Sequence, residues 1–256
     1  MKASAFEFRF RFWIILAIYL LGFTAPWNLA LHLDGHGANA HVWGLLATSL
    51  TRLTGNAIGI GAAFNLVLVV GILCGLAGAL LRTWGTAYLG AGVMRDSSKH
   101  GDEVVAYGPY SHVRNPLYVG SWIFTLLLTL LMPASGAVFT LLALVGFQIR
   151  LILSEEAFLA AQPGRFYVWY FDNVPRLLPS LRPLVATGGR KAQWGQALAA
   201  EIFMWGVIAS FAVLGWRYNT LLLDQCVLVW LGVAMIVRGF AKQPESPRAE
   251  ETSQQP

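Results

Sequence analysis

The sequence predicts an all-α, polytopic membrane protein, a bundle of about six transmembrane helices, and three observations support this prediction. The 256-residue chain is 56% hydrophobic and only 12% charged, whereas a soluble domain carries about 25% charged residues. Its apolar residues gather in runs, most of them near the ~20 residues that a helix needs to cross a bilayer core. Nearly all basic residues fall on alternate connections between these runs, which is the asymmetry that orients membrane proteins.

The predicted spans cover residues 13–31, 57–81, 117–132, 135–153, 196–216 and 220–237. The first run is too long for a signal peptide, so we interpret it as an uncleaved span. The third and fourth are short and are joined by "MPAS" at 132–135, which predicts a helical hairpin over 117–153, because proline cannot extend the preceding helix.

With the N-terminus inside, every Lys and Arg except Arg52 and Arg217 lies on the inner side. This distribution predicts that both termini and two long loops, 82–116 and 154–193, are cytoplasmic. The predicted organisation is membrane helices 1 and 2 in 1–79, a core in 80–182, membrane helices 5 and 6 in 183–240, and a disordered tail in 241–256, which has no apolar residue larger than alanine.

The stretch "GPYSHVRNPLYVG" at 108–120 joins the first inner loop to the third span. Asn115 precedes a proline and is therefore disfavoured in helical geometry, while Pro116 suits the first turn of a helix. A helix start beside Arg114 favours a carboxylate or a phosphate. Tyr110 and Tyr118 could flank a flat ring, so a ligand with a carboxylate and an aromatic base would fit. A basic, aromatic interface anchor fits the same residue types.

A second polar group lies where the fourth span leaves the membrane. Glu155 and Glu156 are adjacent there, and the helix continues beyond them, so we expect one carboxylate to face the bundle. Arg150 lies deeper in the span, where a charge is costly and marks a candidate site, although its side chain could also reach the inner surface. The aromatic run that follows predicts an interfacial belt or a lid; it comprises Phe166, Tyr167, Trp169, Tyr170 and Phe171.

Other polar residues carry weaker signals. We interpret Glu201 and Asp224, in the fifth and sixth spans, as residues at ordinary interface positions that do not pair with each other. The outer loop holds His32, Asp34, His36 and His41, but a glycine-rich loop does not fix metal-ligand geometry, and we predict no metal site. The chain has no GxGxxG, GxxxxGK[ST], GxSxG or HExxH motif, which argues against soluble nucleotide-binding domains and the common hydrolases.

Five motifs in order resemble the isoprenylcysteine carboxyl methyltransferase and phospholipid methyltransferase superfamily. They are "LRTWGTAYLG" at 81–90, "GPYSHVRNPLYVG", "SEEAFL", "PGRFYVWY" and "VPRLLP", and together they cover about residues 80–180. The superfamily consists of integral-membrane enzymes that use S-adenosylmethionine. The resemblance therefore implies a methyltransferase with this cofactor and an active site at the cytoplasmic leaflet.

The resemblance also implies roles for residues at matching positions. The expected cofactor-binding residues are Asp102, Glu103, Val104, Val105, Tyr110, Arg114, Asn115, Pro116, Leu117, Tyr118, Glu155 and Glu156. The expected catalytic or substrate-facing residues are Arg150, Glu155 and Asn115. Two positions depart from the family pattern: Asn115 replaces a histidine, so it cannot titrate near neutral pH, and Pro163 replaces a phenylalanine.

The expected acceptor is lipophilic and enters from the membrane, and no nucleic-acid partner is expected. The first prediction is an isoprenylcysteine-type carboxylate on a lipidated small molecule or protein, which would need no general base. The second is a phospholipid or another lipid amine, which must first lose a proton. A non-catalytic membrane protein or transporter that retains the fold is the alternative from another class.

Overall fold

The computed structural model describes residues 2–24, 41–89, 106–161, 165–185 and 191–240, and most of them are helical. The helices are α1 (Ala5–Arg9), α2 (Arg11–Thr24), α3 (Val42–Leu53), α4 (Ile60–Leu89), α5 (Pro116–Thr129), α6 (Ala134–Ala160), α7 (Arg165–Asn173), α8 (Trp194–Ala200), α9 (Ile202–Leu214) and α10 (Thr220–Phe240). Within these ranges, β geometry is limited to one isolated bridge, between His41 and Pro133. The all-α prediction is confirmed.

Three of these helices, α4, α6 and α10, are long and apolar enough to cross a membrane. The pair formed by α8 and α9, with the turn that follows, passes the same test as a single span that is bent by 68°. Helices α2 and α5 are shorter apolar helices. These helices indicate an integral membrane protein. Six spans and the inside position of the termini stay predictions, and residues 25–31 of the first predicted span lie outside the described ranges.

The predicted start of the first inner loop at residue 82 is wrong, because α4 continues to Leu89. Arg82 is therefore a helical residue and not the first residue of a loop. Its guanidinium meets the carboxylate of Glu201 at 2.9 Å, so a partner from another helix compensates the charge and the helix need not end there.

The outer segment predicted as a loop contains α3. Its residues Trp43, Ala47 and Leu50 follow the spacing of one helix face; the first two are buried, and the Trp43 indole donates to the carbonyl of Phe64 at 3.0 Å. The loop prediction overlooked this apolar face because residues 42–53 are too few to span a bilayer. Helix α3 covers one flank of α4 instead.

Close packing between α4 and α5 depends on glycines. A Cβ atom at Gly75 would lie 2.6 Å from the Leu127 side chain, and one at Gly78 would lie 2.6 Å from the backbone nitrogen of Phe124. Small residues let membrane helices approach in this way. The contact packs α5 closely against the middle of α4, and Leu127 and Phe124 join the main core with Phe211 of α9.

The hairpin predicted over 117–153 is present as α5 and α6. Helix α5 ends at Thr129, and Pro133 is the residue before the first turn of α6. Because the connection is this short, the two helices run antiparallel, and their far ends bring Tyr118 opposite Glu155.

Candidate cofactor site

The end of the α5–α6 hairpin that holds Tyr118 and Glu155 is covered by two loop segments that hold each other in place. Four hydrogen bonds of 2.9 Å join them: Tyr170 Oη to the Tyr110 carbonyl, the Arg114 amide to the Pro175 carbonyl, the Ser180 amide to the His112 carbonyl, and the Leu184 amide to the Ser111 carbonyl. Residues 106–116 are thus clamped by residues 170–184. The "VPRLLP" segment is therefore a structural support for the stretch that leads into α5.

The turn at the start of this stretch needs glycine. Gly108 has a φ of +59°, in the left-handed region that side chains disfavour, and a Cβ there would meet the ring of Tyr88. The chain then forms a 3₁₀ turn over Gly108–Ser111 and enters α5 with Pro116 as its first residue. The predicted loop that stops abruptly at a helix start is confirmed.

Glu156 is the buried carboxylate of the pair, with 6% of its surface exposed. Arg176 donates to it through Nε at 3.0 and 3.2 Å and lies 2.8 Å away through Nη2. Arg114 Nη1 lies 3.3 Å from the same carboxylate, and Asn115 Nδ2 donates to it at 3.4 Å. The Arg114 guanidinium also lies 4.0 Å from the centre of the Phe171 ring. Glu156 is therefore already compensated by the protein's own cations.

Glu155 lies on the other side of the helix end, next to α5. The hydroxyl of Tyr118 donates to Glu155 Oε1 at 2.9 Å. Glu155 is only partly buried, unlike Glu156. Both carboxylates thus contact residues at or near the start of α5, whereas the sequence predicted this for one of them.

Arg150 has a protein carboxylate as its partner. Its Nη2 lies 2.8 Å from Oε2 of Glu7 in α1, and its carbonyl accepts from the amide of Ala3 at 3.2 Å. The hydrogen bond from Arg150, with help from the capping Ser4, lowers the pKa of Glu7 to about 2. The N-terminal segment therefore occupies the face of Arg150 where the resemblance implied a substrate.

Within the part of the chain that the structure describes, two predicted cofactor residues carry buried polar atoms without a hydrogen-bond partner. They are the hydroxyl of Tyr110 and Nε of Arg114; Nη1 of Arg114 is close to Glu156 but also lacks hydrogen-bond geometry. Burial raises the pKa of the Tyr110 hydroxyl, so it stays a neutral donor. Buried donors without partners are costly and fit a ligand that brings acceptor atoms, as the carboxylate and ribose of S-adenosylmethionine do.

Several predicted positions lie outside the described residues. They are Asp102, Glu103, Val104 and Val105 in the first inner loop, and His32, Asp34 and His36 in the outer loop. Over the part of the chain that the structure describes, no group of three His, Cys, Asp or Glu side chains could hold a metal ion. The ring of His41 is engaged with the carbonyl of Leu131 at 2.6 Å.

Sequence reasoning missed two partners. The sequence indicated Arg176 only as one of the basic residues predicted on the inner side, yet it makes the shortest contact with Glu156. Its position in the "VPRLLP" motif, which follows the glutamate pair, could have indicated this role. Glu201 was assigned to an ordinary interface position, which is wrong: it is 4% exposed and pairs with Arg82. Nothing in the spacing of 82 and 201 indicates this contact. The lid interpretation fits Tyr170 and Phe171, which cover Tyr110 and Arg114.

An open apolar groove of about 690 Å³ lies between α4 and the α8–α9 pair. Its walls include Leu80, Trp84, Trp194, Leu198 and Trp205. The groove contains neither carboxylate of the hairpin, so it is separate from the candidate cofactor site.

Comparison with known proteins gives one match. Residues 66–164 match the family model described as phospholipid methyltransferase. This family belongs to the superfamily that the sequence motifs indicated, so the predicted resemblance is confirmed. No curated protein and no solved structure matches the chain. The matched segment contains α5, nearly all of α4 and all of α6, and therefore Tyr118 and both carboxylates of the hairpin.

Proposed function

Because residues 66–164 match the phospholipid methyltransferase family model, we propose that the protein is an integral-membrane methyltransferase that transfers a methyl group from S-adenosylmethionine to a lipid amine. The observation that carries this proposal is the Tyr118–Glu155 pair beside the buried donors of Tyr110 and Arg114. In this proposal Glu155 would take the acceptor and the buried donors of Tyr110 and Arg114 would take the cofactor, and all three residues lie within the matched segment.

The cofactor would be held by the clamped stretch and the start of α5. Arg114 and the Tyr110 hydroxyl would donate to its polar groups, and the first turn of α5 favours a carboxylate. When bound, S-adenosylmethionine supplies an activated methyl group on a sulfonium. The protein's own contribution is positioning in a site covered by Tyr170 and Phe171, and positioning alone can supply much of the rate of such a transfer.

A lipid amine is favoured over a carboxylate because each cation discussed at this end already has a partner or a proposed role. Arg176 pairs with Glu156 and Arg150 pairs with Glu7, and the donors of Arg114 would serve the cofactor. A carboxylate acceptor would have to compete with these protein carboxylates. An ammonium head group would instead be attracted to the negative charge of Glu155, which accepts a hydrogen bond from the Tyr118 hydroxyl.

Glu155 would also accept the proton that an ammonium must lose before its nitrogen can attack the methyl group. The Tyr118 hydroxyl donates to Oε1 at 2.9 Å and would hold the carboxylate in orientation. Asn115, in place of the family histidine, cannot take a proton near neutral pH, so proton removal falls to Glu155 in this account. A general base typically contributes about 10²- to 10⁴-fold to the rate.

The test is methyl transfer by the full-length protein in lipid nanodiscs with radiolabelled S-adenosylmethionine. One arm supplies phosphatidylethanolamine and the other supplies a prenylated cysteine. We expect label in the phosphatidylethanolamine arm. Glu155→Gln should lower the rate of methyl transfer at least about 100-fold. Arg217→Ala, in the turn between α9 and α10, should leave the rate unchanged. Label only in the prenylcysteine arm would show that the acceptor is a carboxylate and not an amine. Label in neither arm, nor in a total lipid extract, would favour a non-catalytic membrane protein.

A further inference from the structure

Beyond the matched segment, a buried charge between α8 and α9 contacts α4. Glu201 lies at the 68° bend between α8 and α9. Its carboxylate accepts hydrogen bonds from Nε and Nη2 of Arg82, each at 2.9 Å, and from the hydroxyl of Thr86 at 3.0 Å. A two-point Arg–carboxylate contact is both strong and directional. The contact therefore fixes the direction in which the remaining nitrogen of Arg82 points.

That nitrogen reaches the start of α5. Arg82 Nη1 donates to Ser121 Oγ at 2.7 Å and to the carbonyl of Leu117 at 3.2 Å. Leu117 and Ser121 flank Tyr118, and Leu117 follows directly on Pro116, the first residue of α5. A chain of hydrogen bonds thus runs from Glu201 through Arg82 to the first turns of the helix that would bind the donor.

We infer that Glu201 is a positioning residue for donor binding, which it supports through Arg82 by holding the first turns of α5 in place. This inference rests on the proposed function of that helix start. A buried charge at a break in an apolar helix pair is costly. Packing of α9 against α4 does not require this charge, because Trp205 Nε1 of α9 already donates a hydrogen bond to Thr83 Oγ1 of α4 at 3.0 Å.

Thr83 therefore offers a matched control. The Thr83→Val variant removes a polar contact between α4 and α9 that does not lead to α5, whereas Glu201→Gln removes the charge that orients Arg82. In nanodiscs, we expect Glu201→Gln to raise the Kd for S-adenosylmethionine roughly 10-fold, a common size of coupling between sites, and Thr83→Val to leave it unchanged. In the transfer assay, Glu201→Gln should raise KM for the donor but not for the lipid.

A second variant covers the case in which Glu201→Gln does not fold. Replacing both partners, Arg82→Met with Glu201→Met, leaves no lone buried charge and is often tolerated, but it still removes the bonds to α5, so donor affinity should fall. The inference is overturned if wild-type protein binds the donor and the double variant binds equally well. It is also overturned if Thr83→Val weakens binding as much as Glu201→Gln. Absence of donor binding by the wild type would overturn the proposed function, and this inference with it.

Discussion

The guanidinium of Arg176 lies 2.8 Å from Oε2 of Glu156. This pair connects the segment that follows α7 to the C-terminal end of α6. Glu156 is buried and also lies near Arg114 and Asn115. Its carboxylate therefore links residues 106–116 and residues 170–184 to α6. Its removal should affect stability more than the removal of any single cation.

We expect Glu156→Gln to lower the free energy of unfolding by about 3 kcal/mol, because it leaves the buried Arg114 without compensation. Arg176→Gln should cost about 1 kcal/mol or less, since 41% of that side chain is exposed and exposed pairs contribute little. Thermal unfolding in detergent measures both. Glu155→Gln is the control, because its amide oxygen can still accept from Tyr118. Equal losses for Glu156→Gln and Glu155→Gln would contradict this assignment.

Asn115 donates to Glu156 at 3.4 Å and to the Arg176 carbonyl at 3.3 Å. We expect Asn115→Ala to have a small effect on stability, about 1 kcal/mol, because both hydrogen bonds are long. Asn115→Asp should cost more, since it places a second negative charge beside Glu156 and donates nothing. Its defect should lessen at acidic pH as that charge is neutralised. A pH-independent defect, measured by thermal unfolding between pH 5 and 8, would count against the contact.

Gly108 and Gly146 form a matched pair of glycines. Gly108→Ala should destabilise the protein by about 2 kcal/mol, because φ is positive there and the new Cβ would meet Tyr88. Gly146 lies within α6 with open space around its Cβ position. Gly146→Ala should therefore stabilise by about 0.5–1 kcal/mol. Thermal unfolding of the two variants should shift in opposite directions, and a shared direction would argue against the proposed turn geometry.

The Glu7–Arg150 pair gives a pH dependence with a definite sign. The pKa of Glu7 is lowered from 4.5 to about 2, so the pair contributes stability above pH 4.5 that is lost as the pH falls through about 2. The difference in unfolding temperature between wild type and Glu7→Gln should stay constant from about pH 7 to pH 5 and shrink below pH 4.5. A difference that grows on acidification would show that Glu7 does not face Arg150.

The sequence predicted the α5–α6 hairpin well, because apolar length and a proline turn are local properties. The loop before Asn115 and the helix start at Pro116 were predicted for the same reason. The pairing of Arg82 with Glu201 joins residues more than a hundred positions apart, and no periodicity links them. Composition and charge therefore assigned both residues to the membrane edge.

The carboxylate pair shows the same limit on a smaller scale. Adjacent residues on a helix differ by about 100° in direction, so the sequence indicates that the two carboxylates diverge. Which carboxylate is buried depends on the contact with Arg176, and a tertiary contact of this kind cannot be read from the sequence. The partner of Arg150 was also unpredictable, because a short N-terminal helix had to fold back onto α6.

Equilibrium binding of S-adenosylmethionine is the most direct test of a cofactor site at the start of α5. It is measured by calorimetry on the purified full-length protein in phosphatidylcholine nanodiscs. We predict saturable binding that S-adenosylhomocysteine competes for, weakened about 10-fold or more in Arg114→Ala, a loss of about 1.4 kcal/mol. The control variant Arg52→Ala, exposed on α3, should bind as the wild type does. Absence of saturable binding at millimolar donor, or equal affinity in Arg114→Ala, would contradict the placement of the cofactor at the start of α5.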